Sequence, residues 1–374
     1  MPKYSTTQTS STYLPPDSVT LLHIAAFCDS LEVFIYLHDH HHIPFQIKSA
    51  AQYFPLHYAC YAGSYEVARY ILENDPQEAR LETITQFSLI FLATYSHNSE
   101  ILKLLLKNGA NINDQVCKNN NPIGFAINTL NIDILKILLN AGSKTSSDNK
   151  AQYSSLMKAV ICRAQGAVPL LIQHGEQPEF VSSDYQTALS LACFINQPEI
   201  VKYLCDHMTQ VDLDPSIHQK AAVHWICSSR NPEIVKIVLQ KGINVNRLDD
   251  QGHSGVHYLL DTPDQKVVIN ILQQLLDNGL NINLQGKTPG GGITNSILGD
   301  FCESITRQPT VIEWLLAHGA DPYAKTSNNK TIFEKVTKAR KRDLLKIFNA
   351  YIENPPKSVI PEALYKPHLP KVIK

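Results

Sequence analysis

The sequence predicts an all-α solenoid built from helix pairs that repeat about every 33 residues. Three observations support this prediction: a tetrad that recurs in phase, apolar residues at helical spacing after it, and a glycine near the end of each second helix. A fixed period of this length is typical of stacked repeats, which form one elongated unit instead of separate globular domains. The hydrophobic fraction of 44% supplies enough apolar side chains for the core of such a stack.

The period is set by the third position of a tetrad similar to Thr-Pro-Leu-His. Its best copies are Thr20-Leu21-Leu22-His23 and Phe54-Pro55-Leu56-His57. Eight such positions are spaced by 33 or 34 residues, and we call them the anchors: Leu22, Leu56, Leu89, Ile123, Leu156, Leu189, Val223 and Val256. We expect each anchor to open a short helix.

A second amphipathic helix is predicted after each of these. Segments such as Asn98-Ser99-Glu100 and Asn231-Pro232-Glu233 place a capping residue or proline, and then a carboxylate, at the positive end of the helix. The helices then end near a glycine, which accepts the left-handed conformation at little cost. These glycines are Gly109, Gly142, Gly175, Gly242, Gly279 and Gly319.

The combined pattern resembles the ankyrin repeat, whose unit is a β-turn finger followed by two antiparallel helices. The resemblance covers residues 18–351, as about nine repeats and a C-terminal cap. Residues 1–17 are predicted to be a disordered lead-in, and residues 352–374 a proline-rich tail. That tail either extends freely or lies back on the last repeat.

Three places depart from the repeat pattern. Pro169 lies inside a second helix and is expected to shorten or kink it. The eighth repeat has an insertion near Asp261–Asp264, and the ninth starts late, with Ile297 or a neighbour as its anchor. The segment Gly286–Gly292 before it is interpreted as a flexible loop between repeats.

The resemblance implies a protein-interaction scaffold or adaptor, not an enzyme. It would bind an unidentified partner protein through the concave face and the finger loops of the solenoid. We expect no cofactor, no small-molecule substrate, and a monomer when the partner is absent. Aromatic residues are good interface anchors, although here they could instead cover gaps between helices. The candidate contact residues are Phe27, Tyr61, Tyr95 and Phe194, together with the polar finger tips Lys118, Asp249, Asp250 and Asn328.

The histidines and cysteines of the repeats favour structural roles over catalysis or metal binding. The resemblance implies that His23, His57, His224 and His257 are structural, each with its imidazole hydrogen-bonded to backbone near the turn. The eight cysteines include no Cys-x-x-Cys pair, so a structural zinc site has little support. Gly286-Lys287-Thr288 lacks the earlier glycine of a phosphate-binding loop, because position 281 is asparagine.

One histidine run falls outside the repeat pattern. His38, His40, His41 and His42, with Asp39 among them, could bind a divalent metal. Such runs more often bind metal only adventitiously, so our prediction is no metal site, with this run as the alternative.

Charge is unevenly distributed along the chain. The formal net charge is -1, but residues 330–374 carry +7 and the remainder -8. The basic end is a solvated cap or, as the alternative function, a docking module for nucleic acid or anionic membrane. The sequence has no apolar stretch of 18 residues and no signal-like start. We therefore expect a cytoplasmic protein, with the nucleus as a further possible location.

Overall fold

The computed structural model describes residues 19–80, 87–113, 121–145, 153–184, 186–209, 211, 220–304, 308–326, 328–338 and 342–353. Contacts within the chain divide it into two compact units. Unit 1 comprises Met1–Asn149 and Ser154–Glu176, and unit 2 comprises Lys150–Tyr153 and Gln177–Lys374. The described elements are helices, which confirms the predicted all-α class.

Unit 1 contains five helix pairs. Their bounds are α1 Leu21–Phe27, α2 Leu31–Asp39, α3 Pro55–Ala62, α4 Tyr65–Asn74, α5 Leu89–Tyr95, α6 Ser99–Lys107, α7 Pro122–Asn128, α8 Ile132–Asn140, α9 Ser155–Ile161 and α10 Ala167–Gln173. A short 3-10 helix, Pro76–Arg80, follows α4.

The helices of unit 1 stack in two parallel rows. Each first helix packs on the next first helix, from α1 through α9, and each second helix packs on the next second helix, from α2 through α10. The anchors lie between these two rows of helices. Four of them are at most 1% exposed: Leu22, Leu56, Ile123 and Leu156. The apolar core therefore runs continuously through the unit, as expected for stacked repeats.

Helix α6 shows why these short segments are helical. The Asn98 side chain accepts hydrogen bonds from the backbone N–H groups of Glu100 and Ile101, both at 3.1 Å, and so caps the helix start. Ile101 and Leu105 on one face are fully buried. The helix ends at Lys107, and two residues later the φ of +83° at Gly109 lets the Ala110 N–H return to the Leu105 carbonyl.

The helix that contains Pro169 is short, as expected. Helix α10 has 7 residues, whereas α6 and α8 have 9. It begins at Ala167, which places Pro169 in the first turn, where a backbone N–H has no partner within the helix.

Unit 2 also contains five helical pairs, and one first helix is of the 3-10 type. The bounds are α11 Ala188–Phe194, α12 Pro198–His207, α13 Ala222–Ser229, α14 Pro232–Leu239, the 3-10 helix Gly255–Leu259, α15 Gln265–Asp277, α16 Ile297–Glu303, α17 Pro309–Ala317, α18 Ile332–Lys338 and α19 Arg342–Glu353.

The fingers of unit 2 are closed by single antiparallel β-bridges. These bridges pair Leu248 with Ser254, Lys287 with Ile293, and Lys325 with Thr331. The expectation of a flexible loop at Gly286–Gly292 is therefore wrong. This segment is a finger of the same design, in which the Thr288 N–H donates to the Gly292 carbonyl at 2.7 Å.

The insertion in the eighth repeat changes its two helices. Its first helix is the short 3-10 segment, and its second, α15, has 13 residues. The following repeat is tied back to it by Gln308, which is 2% exposed. The Gln308 amide donates to the carbonyl oxygens of Leu260 and Thr262 at 2.9 and 3.0 Å. The late ninth repeat opens with Ile297, the first residue of α16.

Candidate protein-binding site

Aromatic side chains of consecutive first helices stack on one another in unit 1. The ring centroids of Phe27 and Tyr61 are 6.3 Å apart, and those of Tyr61 and Tyr95 are 5.2 Å apart with an angle of 11° between the rings. Phe125 extends the series, with its ring 5.4 Å from that of Tyr95. We call these four residues the aromatic row.

The repeat places the aromatic row at the surface. Phe27 and Tyr61 each lie five residues after a buried anchor, and Tyr95 lies six residues after one. Phe27 is 47% exposed, and the other three rings are half-buried. Burial raises the pKa of the Tyr95 phenol, and the adjacent Tyr61 hydroxyl adds to the shift. The row therefore combines partly exposed rings with contacts between successive rings.

The first helices that carry the aromatic row hold little charge. The five first helices of unit 1 hold a single charged side chain, Lys158 of α9. Charged pairs lie on the second helices instead, such as Arg69 with Glu66 at 2.5 Å and Lys103 with Glu100 at 2.7 Å. The two faces of the unit thus differ in chemistry, with an aromatic first-helix face and a charged second-helix face.

The turn between the two helices of each repeat adds a feature that the sequence did not reveal. One residue per turn in unit 1 has a positive φ, and these residues are Asp29, Gly63, His97, Leu130 and Arg163. A bulky residue rarely adopts this conformation. Leu130 does so with φ of 57° and is 54% exposed, so it adds an apolar side chain at the edge of this face.

The finger tips of unit 2 differ from the expectation in one respect. Asp249 is 7% exposed, and its carboxylate accepts hydrogen bonds from the Gln251 and His253 N–H groups and the Tyr258 hydroxyl, all within 3.0 Å. These bonds use the carboxylate to shape the finger, so the structure gives Asp249 a local structural role, and its role as a partner contact stays a prediction. Asp250 is half-buried and Asn328 is exposed.

The definition of the aromatic row leaves out two further candidate residues, Phe194 and Lys118. Phe194, the last residue of α11 in unit 2, is 78% exposed, the most of any large apolar side chain described. Lys118 lies outside the described residues.

Sequence comparison identifies the family. A sequence model described as "Ankyrin repeats (3 copies)" matches residues 5–83, 89–180 and 156–249, which together make up more than half of the chain. The chain belongs to the ankyrin-repeat family. The resemblance inferred from the tetrads is thereby confirmed.

Several ankyrin-repeat proteins are similar to this chain. "Ankyrin repeat and SOCS box protein 6" of Homo sapiens is 28% identical over 191 residues, which cover 45% of this chain and 44% of that protein. The Mus musculus protein of that name is 26% identical with the same coverage. This chain thus aligns with less than half the length of these relatives.

Two solved ankyrin-repeat domains are also similar. That of human ASB11 has a TM-score of 0.44 and 19% identity, and the match covers 68% of this chain and 98% of the other. That of Bcl-3 has a TM-score of 0.48 and 23% identity, with 57% and 92% covered.

Three tetrad histidines bond to backbone near the ankyrin turn. The Nδ1 atoms of His23, His57 and His224 each accept a backbone N–H from three residues earlier, at 3.0–3.3 Å. His23 and His224 also donate through Nε2 to the carbonyls of Tyr53 and His253 at 3.0 and 3.3 Å. Burial lowers the pKa of all three rings.

His257 differs from the other tetrad histidines. Its Nδ1 donates to the Asp300 carboxylate at 3.2 Å instead of receiving the backbone bond, and this bond raises its pKa. Its ring stacks on that of His253 at 4.0 Å. The expectation of a backbone bond therefore does not describe His257, because the 3-10 helix of the inserted repeat directs the ring towards α16.

The glycines of the ankyrin pattern adopt the backbone conformation expected for helix ends. Gly109, Gly142, Gly242, Gly279 and Gly319 all have φ between +71° and +95°. In this region a side chain would add strain, which explains the choice of glycine.

The histidine run is engaged in local packing. His38 Nδ1 donates to the Ile43 carbonyl at 2.8 Å, and its ring stacks on Phe45 at 4.0 Å. His40 and His41 both pack on the Tyr36 ring, at 5.0 and 5.3 Å. In the part of the chain that the structure describes, no three His, Cys, Asp or Glu side chains group closely enough to hold a metal. His42 has a φ of 52° and is exposed.

The basic end is only partly described. Lys335 forms an ion pair with Glu303, whereas residues 339–341 and 354–374 lie outside the described ranges. None of the helices described combines the length and apolarity needed to span a bilayer.

Proposed function

We propose that this chain is a non-catalytic adaptor that binds a partner protein on the first-helix face of unit 1. Ankyrin repeats are generally protein–protein interaction modules and typically non-enzymatic. The observation that supports this face is the aromatic row on helices with a single charged residue. Aromatic rings held in place by stacking lose little rotamer freedom on binding, which favours their use as anchors.

The chemistry of the face indicates what part of a partner it would contact. Phe27 of the aromatic row and Leu130, in the turn after α7, are about half exposed, at 47% and 54%, and offer apolar surface. A partner segment with apolar side chains and few charges would bury this surface without leaving charges unpaired. We also propose that the adaptor acts inside the cell.

A binding measurement tests this function. The partner would be identified by proximity labelling in the native cell, purified, and titrated against the full chain by calorimetry. Changing Phe27, Tyr61 and Tyr95 together to alanine should weaken binding by more than about tenfold, since anchors of this type each contribute at least about 1–2 kcal/mol.

A matched tyrosine provides the control. Tyr65 begins α4 on the second-helix face and is half-buried like Tyr61. Tyr65→Ala should leave the affinity unchanged. Equal affinities for the triple variant and the native chain, with both folded by circular dichroism, would rule out this face as the binding surface.

A further inference from the structure

A small crevice opens between the first helices α16 and α18 of unit 2, and its volume is about 230 Å³. Its walls include Gly299 and Cys302 of α16, and Ile332, Lys335 and Val336 of α18. All of these residues except Lys335 are buried. The crevice, which we call the α16–α18 crevice, therefore reaches into the core between two first helices.

Two other junctions between first helices hold a pair of rings at the equivalent place. The third residue of the first helix is His23 in α1 and His224 in α13, and the fourth residue of the next first helix is a tyrosine in both cases. The ring centroids of His23 and Tyr58 are 4.9 Å apart. Those of His224 and Tyr258 are 5.8 Å apart, and both pairs meet edge to face.

The same two places at the α16–α18 junction carry no ring. Gly299 is the third residue of α16, and Lys335 is the fourth residue of α18. Since both residues line the crevice, it corresponds to space that rings fill at the other two junctions. Lys335 pairs with Glu303, and these two side chains, 20% and 43% exposed, form the rim.

A second junction with a glycine and a lysine shows another arrangement. Gly124 and Lys158 hold these places in α7 and α9, and the Lys158 Nζ lies 4.0 Å from the position that a Cβ atom on Gly124 would take. That lysine therefore reaches over its glycine. At Gly299 the atoms nearest to such a Cβ belong to other residues, and Lys335 pairs with Glu303 instead.

The hydrogen bond of a tetrad imidazole is already supplied at this junction. Elsewhere the imidazole Nε2 donates to the carbonyl two residues before the next first helix, as His23 does to Tyr53 at 3.0 Å. Here that carbonyl belongs to Lys330, and the Thr326 hydroxyl donates to it at 2.8 Å. A ligand in the α16–α18 crevice thus needs no hydrogen-bond donor, and an uncharged apolar ring suits its buried walls.

We propose that the α16–α18 crevice binds a small uncharged aromatic compound with one ring or two fused rings. Its volume exceeds the roughly 150 Å³ of an apolar cavity that takes up benzene in another protein. The ring pairs at the other junctions show that aromatic rings fit between first helices at this place. A free compound is favoured over a side chain of another protein, because the ion pair at the rim hinders the approach of a second backbone.

Titration of the full-length chain with 4-fluorophenol, followed by its fluorine NMR signal, tests this site. We expect saturable binding with a Kd of roughly 1 mM or lower, as the size of the probe allows. Lys335→Tyr introduces the residue that Tyr58 and Tyr258 provide at the other junctions. It should weaken binding at least about tenfold, because its ring would fill the crevice.

The control is a second lysine of the same helix. Lys338 is exposed and does not line the crevice, so Lys338→Tyr should bind 4-fluorophenol as tightly as the native chain does.

A thiol measurement on the native chain locates the bound probe without any substitution. Cys302 lines the crevice, whereas Cys28 is exposed in unit 1. The rate at which methyl methanethiosulfonate modifies Cys302, followed by mass spectrometry, should fall about tenfold when 4-fluorophenol is present at ten times its Kd. The rate at Cys28 should stay the same.

Two results would overturn the proposal. The absence of saturable binding, or equal affinities for the native chain and Lys335→Tyr with Cys302 unprotected, would show that the crevice takes up no aromatic compound. Tighter binding of N-acetylphenylalanine amide than of 4-fluorophenol would assign the crevice to an aromatic side chain of another protein.

Discussion

Gly286 packs against the backbone of Gly252 so closely that a Cβ atom on Gly286 would overlap the Gly252 carbonyl oxygen. Thr294 joins the two residues, since its hydroxyl donates to that carbonyl at 3.2 Å and accepts the Gly286 N–H at 2.7 Å. The fingers of the eighth and ninth repeats therefore meet through a contact for which only glycine is small enough.

Gly286→Ala should accordingly destabilise unit 2. Forcing a methyl group into a packed backbone contact costs about 1–3 kcal/mol. The chain's two tryptophans, Trp225 and Trp314, both lie in unit 2, so urea unfolding followed by tryptophan fluorescence reports on this unit. Gly290→Ala is the control, because a Cβ there meets no atom within 4 Å. Equal midpoints for the two variants would contradict the close contact.

Glu78 should make unit 1 less stable as the pH rises. Its side chain is buried, with Gln46 donating to one carboxylate oxygen at 2.5 Å. Burial, with a smaller contribution from Asp75, raises the pKa of Glu78 to about 7. Because the carboxyl pKa is raised in the folded state, the contribution of Glu78 to the free energy of unfolding is fully present below about pH 4.5. This contribution is lost as the pH rises to about 7.

The isosteric Glu78→Gln removes this dependence. At pH 8 it should be more stable than the native chain by up to about 3 kcal/mol, and at pH 4.5 the two should be similar. Urea unfolding followed by far-UV circular dichroism at both pH values measures the difference. Glu32→Gln, at an exposed position of α2, should show no such change with pH.

His57 should produce the opposite dependence. Its ring is 1% exposed, and burial, with the nearby His23 charge adding to the effect, lowers its pKa to about 3. The neutral ring is favoured in the folded state. The contribution of His57 to the free energy of unfolding is therefore fully present above about pH 6.5 and is lost as the pH falls towards 3.

Replacing His57 by serine, a residue that another repeat carries at this tetrad position, tests the predicted pH dependence. Ser190 occupies the equivalent place in the sixth repeat, where its hydroxyl accepts the Thr187 N–H at 2.9 Å. His57→Ser should be less stable than the native chain at pH 7, and this difference should shrink by about 2–3 kcal/mol at pH 4.5. The exposed His97→Ser serves for comparison. A difference that stays constant with pH would exclude His57 as the titrating group.

Leu130→Gly should stabilise unit 1. A leucine in the left-handed region costs about 1–2 kcal/mol, part of which is offset by the greater backbone freedom of glycine in the unfolded chain. We expect a gain of about 0.5–1 kcal/mol in urea unfolding. Leu130→Ala keeps the unfavourable conformation and should show no gain. A gain from alanine equal to that from glycine would mean that backbone strain is not the cause.

Local features were predictable from the sequence, because the chain within one repeat determines them. The anchors, the second-helix capping by Asn98 and the left-handed glycines all depend on residues only a few positions apart. The left-handed conformation of Leu130 was missed. The repeat imposes this conformation on the turn between the two helices, but among these turns in unit 1 only the one at Gly63 has a glycine that indicates it.

Features that depend on contacts between distant residues were not predictable. Asp249 looked like an exposed finger tip, but Tyr258 and the finger backbone surround its carboxylate. His257 reaches Asp300, 43 residues away, because the eighth repeat is altered by its insertion. Phe125 joins the aromatic row although it lies two residues after its anchor, where the tetrad pattern gave no reason to expect an exposed ring.

The Gln308 amide donates from the ninth repeat back to the carbonyls of Leu260 and Thr262. This contact limits which repeats can be deleted or rearranged. In unit 1, by contrast, removing 33 residues in register would join surfaces of the same shape, so whole repeats are interchangeable in principle. Between residues 255 and 308 the modules are no longer equivalent, and a cut in register would leave two carbonyls without their amide. Minimised or permuted versions of the protein should therefore retain this stretch as one piece.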